Sequence, residues 1–157
     1  MLRKFSEASR AVGNQDTIAP LRELNRIIRE NRTGEYRSPA MELGFAPLEF
    51  APGASRWRWE QQPPTVLNPF GTIHGGFLGV FVDELFATAI ASVLEDGEWA
   101  MTAETKISHL RALYPGPLSG HGRVVRRGRT LAFLEAEVCD ADGRSAVRAS
   151  STWSISR

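Results

Sequence analysis

The stretch "NPFGTIHGGFLGVFVDELFATAI", Asn68 to Ile90, holds most of the residues in this chain that could do chemistry. It opens as a polar turn and becomes a long apolar run, with one carboxylate, Asp83, near the middle of the run and a second, Glu84, beside it. A buried carboxylate costs free energy unless it is paired or used. At 100° per residue, Gly76, Gly79, Asp83, Ala87 and Ile90 fall within about 40° of one line along a helix. That line of small residues around an acid reads in two ways. It is a packing groove with Asp83 held by a local donor, or a substrate groove with an acid at its floor. "IHGG", Ile73 to Gly76, stands where the helix would begin. Free N–H groups and the positive end of the helix dipole can hold a developing oxyanion there. The same residues also read as an ordinary helix start with His74 in the preceding loop.

Spacing adds a constraint. Gly75 and Asp83 are eight positions apart, roughly 12 Å along a helix axis, so one reacting carbonyl cannot touch both on the same helix. Two antiparallel copies of the helix would set the start of one beside the middle of the other. Joint action of Gly75 and Asp83 therefore implies a dimer with two equivalent sites at its interface.

Other chemistries have less support. His74, His109 and His121 lack the spacing of a metal-ligand cluster, and no G-x-S-x-G nucleophile motif is present. The single cysteine, Cys139, excludes an intramolecular disulfide and a cysteine-rich zinc site. Lys and Arg total 19 against 18 Asp and Glu, so no charge imbalance points to nucleic acid or a membrane surface. "HGRVVRRGRT" gathers Arg123, Arg126, Arg127 and Arg129 near a turn. Arginine forks suit phosphate oxygens, and the same residues also suit a solvated hairpin rim.

The elements that must position these residues follow from patterning. With 157 residues the chain is expected to form a single domain, 1–157. Residues 1–15 are expected to be mobile. The pattern of "DTIAPLRELNRIIRENRTG" predicts an amphipathic helix over 16–34, with Leu21, Leu24, Ile27 and Ile28 on one face. "MELGFAPLEF" and "SRWRWEQQ" read as strands around a turn at Pro52-Gly53, with Trp57 and Trp59 on one face. A helix is expected over about Ile73 to Leu94. Its apolar part, Phe77 to Leu94, is just long enough to span a bilayer, but Asp83 and Glu84 at its centre argue for a buried helix of a soluble protein. Four further strands follow. One places Ala132, Leu134, Ala136 and Val138 on a face, and the last places Val147, Ala149, Trp153 and Ile155 on a face. Strands flanking one central helix predict an α+β fold, an antiparallel sheet around that helix. A helix apolar on every side needs a second cover, for which another copy of the chain is the natural candidate. The N-terminus has no apolar core of a secretory signal, and with the single cysteine this points to the cytoplasm.

The spaced pattern Asn68, Gly71, His74-Gly75-Gly76 and Asp83 resembles the hot-dog fold thioesterases, in particular the phenylacetate-pathway (PaaI-type) acyl-CoA thioesterases. "TAETKISHLRALYPGPL", "RRGRTLAFLEAEV" and "GRSAVRASSTWSI" are similar to that family's last four strands. The likeness covers roughly 43–156, within a hot-dog core expected over 41–156. It implies hydrolysis of an acyl-CoA thioester by a homodimer or homotetramer. The Gly75 amide would polarise the carbonyl, and Asp83 of the neighbouring subunit would act as general base or nucleophile. Asn68 and His74 would hold the thioester end, Thr102 would help place the water, and Gly76 would line the substrate site. Arg126, Arg127 and Arg129 would meet the phosphates of coenzyme A, or an acyl carrier protein in its place. No metal or separate cofactor is implied, coenzyme A being part of the substrate. Phe77, Phe81, Phe86, Trp57 and Trp59 could line an acyl pocket or form the core. A hydratase on the same fold would need an acid in the Asn68-Pro69 loop, where Val66 and Leu67 precede instead. A non-catalytic acyl-CoA-binding module would not need Asp83.

Overall fold

The computed structural model describes residues 38–157, so the helix expected over 16–34 and the segment 1–15 lie outside the described residues. A short helix α1 (Pro39–Leu43) leads into strands β1 (Phe45–Ala51) and β2 (Ala54–Trp59), and a 3-10 turn at Pro64–Val66 precedes the long helix α2 (Gly75–Ala91). Strands β3 (Trp99–His109), β4 (Leu118–Arg127), β5 (Leu131–Cys139) and β6 (Ser145–Ser156) complete the chain. All six strands join one antiparallel sheet in the order β1-β2-β4-β5-β6-β3. This is the α+β layout expected.

Two boundaries differ from the sequence reading. Met41–Leu43 are helical where a strand was expected, because local caps decide that segment. The Ser38 side chain accepts from the Met41 N–H, Pro39 opens the helix, and Gly44 closes it at φ 76°. Helix α2 is also shorter than Ile73 to Leu94. Ile73 is tied outside it, its N–H donating to the Leu113 carbonyl and its backbone bridging Leu67. At the other end the Ser92 hydroxyl donates to the Ala51 carbonyl and accepts from the Gly53 N–H, joining the helix end to the β1–β2 turn.

Alternation on β5 and β6 puts Ala132, Leu134, Ala136, Val138, Val147, Ala149, Trp153 and Ile155 into the core, as their period-two spacing required. Helix α2 lies on that inner face, and β4 makes room for it. A Cβ at Gly122 would stand 2.6 Å from the Leu85 carbonyl oxygen, and one at Gly120 would stand 2.8 Å from Leu85 Cδ1. Polar atoms of the helix face are satisfied across the layer. Ser55 Oγ donates to the Leu85 carbonyl at 2.7 Å and Trp57 Nε1 donates to Thr88 Oγ1 at 3.0 Å. Trp57, Trp59, Phe81 and Phe86 are all buried, and Phe45, Trp59 and Phe81 stack within 6 Å of one another. These four aromatics are therefore core, and only Phe77 among the five candidates is part exposed.

The sheet covers one side of α2. Leu78, Phe81, Val82, Leu85, Phe86, Ala89 and Ile90 are buried, whereas Gly76 and Asp83 are exposed and Gly79, Val80 and Ala87 are half-buried. The expected line of small residues thus divides. Ile90 belongs to the core, and the line from Gly76 to Ala87 is open on the surface of the single chain. Among the described residues no helix is long and apolar enough to cross a membrane.

Candidate active site

The loop before α2 is built by Asn68. Its Oδ1 accepts from the N–H groups of Phe70 at 3.0 Å and Thr72 at 3.2 Å, and its Nδ2 donates to Thr72 Oγ1 at 2.6 Å. Gly71, at φ 74°, turns the chain inside this ring of bonds, and its N–H returns to the Asn68 carbonyl at 2.9 Å. Asn68 Oδ1 and one hydrogen of Nδ2 are thus engaged within its own loop and shape the approach to the helix, while the second Nδ2 hydrogen has no partner among the described residues.

The loop delivers His74 as the cap of α2. His74 Nδ1 accepts from the Gly76 N–H at 3.3 Å, and the His74 carbonyl accepts from Phe77 and Leu78 at 3.0 and 3.4 Å. Those bonds use three of the first-turn amides. The Gly75 N–H has no acceptor among the described residues, so one donor at the positive end of α2 is left for a ligand. The Gly76 amide, expected to line the substrate site, is already engaged by His74; its lack of a side chain is what keeps that surface open.

Eight residues along, the Asp83 carboxylate stands exposed on the same uncovered face of α2, and Thr102 Oγ1 of β3 donates to its Oδ1 at 3.3 Å. Strand β3 thus brings Thr102 beside Asp83. Asp83 is not buried in the chain as its apolar surroundings suggested. Glu84 is the more enclosed acid. Burial, and next the Asp83 charge, push its carboxyl above the ordinary carboxylate range.

Strand β3 runs beside the open face of α2 and forms a groove with it. Its inward residues meet the helix in order: Thr102 at Asp83, Ile107 Cδ1 3.4 Å from where a Cβ of Gly79 would stand, and His109 Nε2 3.1 Å from where a Cβ of Gly75 would stand. Lys106 and Ser108 point to the other face of the sheet, into a cleft of about 420 Å³ that also takes in His121, Arg123 and Arg148. His109 stands in no motif of its own, and its spacing from His74 and His121 marks no metal site. Its parity with Ile107 on a strand was the available signal.

The arginine cluster is dispersed. Arg127 forms a close ion pair with Glu98, whose side chain is 4% exposed and is also approached by Arg157. The Glu95 amide first, then Arg127, holds the Glu98 carboxyl below its ordinary range. Arg123 pairs with Glu135 at 2.6 Å. Arg126 and Arg129 are exposed with no ion-pair partner among the described residues. The ladder also separates the cluster from Gly75 of its own chain. His109, at Gly75, leads through Val147 and Val138 to Gly120, whereas Arg127 leads through Ala132 and Trp153 to Thr102. Gly120 and Arg127 are seven positions apart on β4, about 23 Å of strand. The hairpin thus belongs to the Asp83 end of the sheet. Among the described residues no group of His, Cys, Asp and Glu is arranged to hold a metal ion.

Residues 70–147 match the family model of the thioesterase superfamily. Over 87 residues the chain is 36% identical to the inferred esterase SSO2140 of Saccharolobus solfataricus, covering 55% of this chain and 61% of that protein's length. A phenylacetic acid degradation-related protein from Ralstonia eutropha JMP134, an inferred thioesterase, superposes with a TM-score of 0.69 at 30% identity, over 83% of this chain and 97% of its own. A hypothetical thioesterase from Streptococcus pneumoniae TIGR4, solved with coenzyme A, superposes with a TM-score of 0.65 at 22% identity, over 71% and 85% of the two chains. At that identity the likeness is one of fold.

Proposed function

The chain belongs to the thioesterase superfamily, and from that premise we propose that it hydrolyses an acyl-CoA thioester to a free acid and coenzyme A. The observation that carries this reading is the free Gly75 amide at one end of an open groove and the Asp83–Thr102 pair at the other. The roughly 12 Å between the two ends of one groove exceeds the reach of a single carbonyl. Each reaction centre is therefore assembled from two antiparallel copies, Gly75 of one protomer facing Asp83 of its partner.

In that centre the thioester carbonyl oxygen accepts from the Gly75 N–H. The partner's Asp83 takes a proton from water as the water oxygen bonds to the carbonyl carbon, and the carbonyl π pair moves onto oxygen. The alternative is direct attack by the carboxylate, with water then hydrolysing the anhydride. Either way the tetrahedral centre collapses by expelling the coenzyme A thiolate, which needs no acid because a thiolate is a stable leaving group near neutral pH. Thr102 orients the carboxylate, and His74 fixes the helix start that aims the amide.

The same pairing of copies brings the Asp83 end of one sheet, with its Arg126 and Arg129, towards the Gly75 end of the other. Two exposed arginines there suit the phosphates of coenzyme A. A fold relative solved with coenzyme A is in keeping with that ligand. Phe77 is the one candidate aromatic left to meet the acyl group. Release of free thiol from a panel of aromatic and medium-chain acyl-CoAs tests the proposal. Turnover of at least one is expected, and tight binding without any thiol release would leave a binding module instead.

A further inference from the structure

We propose that His109 is a second donor to the thioester carbonyl oxygen, its Nε2–H acting beside the Gly75 amide; this rests on the thioesterase reading above. The Nε2 atom is 3.1 Å and Cε1 3.3 Å from the position a Cβ of Gly75 would take, so the ring edge lies directly against the Gly75 Cα. Cβ and the amide nitrogen are substituents of that same Cα, about 2.5 Å apart from standard bond lengths. Nε2 and the Gly75 nitrogen are therefore separated by no more than roughly 6 Å, a span that one oxygen atom can bridge with two ordinary hydrogen bonds.

Three further features fit this role. Neither ring nitrogen of His109 has a hydrogen-bond partner among the described residues, so the donor is not spent on the fold. His109 is exposed in the groove beside α2, where a substrate can reach it. Its backbone is held at the end of β3 opposite Val147, so the ring projects from a strand rather than from a loop. A Cβ at position 75 would push the ring back by a few tenths of an ångström. The glycine therefore serves two purposes, an open amide and a seat for the imidazole. Two donors converging on one oxygen stabilise charge that is larger in the tetrahedral state than in the ground-state carbonyl, so the effect belongs in kcat.

Thiol release by the wild-type protein, His109→Phe and His109→Gln on one shared acyl-CoA tests the assignment, with thermal unfolding to check each fold. Phe keeps a flat ring and removes the donor, and kcat is expected to fall about 10²-fold with KM unchanged. Gln keeps an N–H donor and is expected to retain most of the activity lost in Phe. Full kcat in His109→Phe, or a rise confined to KM, would overturn the donor role while leaving the thioesterase reading intact. No thiol release by the wild-type chain from any acyl-CoA would overturn both.

Discussion

Asp83 and Glu84 are adjacent acids with opposite environments. About 100° of helix rotation separates them, which turns Asp83 to the open groove and Glu84 towards the protein. Replacing Asp83 with Asn keeps the volume and removes the charge. A general base lost this way is expected to cost on the order of 10²–10⁴ in kcat, with KM little changed. Glu84→Gln is the control and should remain active; steady-state kinetics showing the reverse order would reassign the base to Glu84. The control also carries a stability prediction. The folded protein raises the Glu84 carboxyl above its ordinary value of 4.5 through burial first and the Asp83 charge second. Stability is therefore full below pH 4.5, where the acid is neutral in both states, and is lost as pH rises through the folded value. Glu84→Gln should raise Tm at pH 7–8, with the gain vanishing as pH falls below 4.5. Equal gains at both pH values in thermal melts would mean that charge is not the cause.

At the scale of elements, the contact of α2 with β4 depends on two residues without side chains. A Cβ at Gly122 would strike backbone, the Leu85 carbonyl oxygen at 2.6 Å, which cannot swing aside as a side chain can. Gly122→Ala is expected to lower stability by about 1–3 kcal/mol, the usual range for overpacking, read as a lower urea midpoint. An unchanged midpoint would show that helix and strand can part at little cost. The β4–β5 hairpin carries a different prediction. Arg127 is committed to Glu98, so the coenzyme test falls to Arg126 and Arg129. Changing both to Ala should raise KM for a CoA ester and leave kcat, since these charges would touch a part of the substrate that does not react. An unchanged KM would make the hairpin a surface rim.

At the scale of the molecule, β3 is the unprotected part. It is an edge strand of 11 residues, exposed along most of its length, and Trp99 and Met101 on it are 51% and 57% exposed. A long open edge with apolar side chains invites pairing with another strand. Beside it lies the uncovered face of α2, so one partner copy can cover both. The opposite edge is managed differently. Strand β1 carries Pro47 next to an irregularity in its register with β2, features that blunt an edge. A dimer or larger assembly is the expected result of light scattering, and a fully active monomer would contradict the two-copy reaction centre.

The helix, the strands and their inward faces were legible in the sequence because each rests on a local period. Trp57 and Trp59 alternate on β2 and Val147 to Ile155 alternate on β6, and burial follows that alternation in the structure. The spacing from Gly75 to Asp83 likewise set the two ends of the proposed centre about 12 Å apart, since eight positions on a helix have only one geometry. What the tertiary structure alone decided depends on which strand lies beside which. Sheet order placed Thr102, Ile107 and His109 along α2 and made His109 a neighbour of Gly75, 34 positions away in the chain. Pairing across four strands put the arginine hairpin at the Asp83 end and gave Arg127 to Glu98. Composition showed that an acid stood in an apolar helix. Only the packing of α2 on one face of the sheet, with its other face open, determined that Asp83 meets solvent while Glu84 is enclosed.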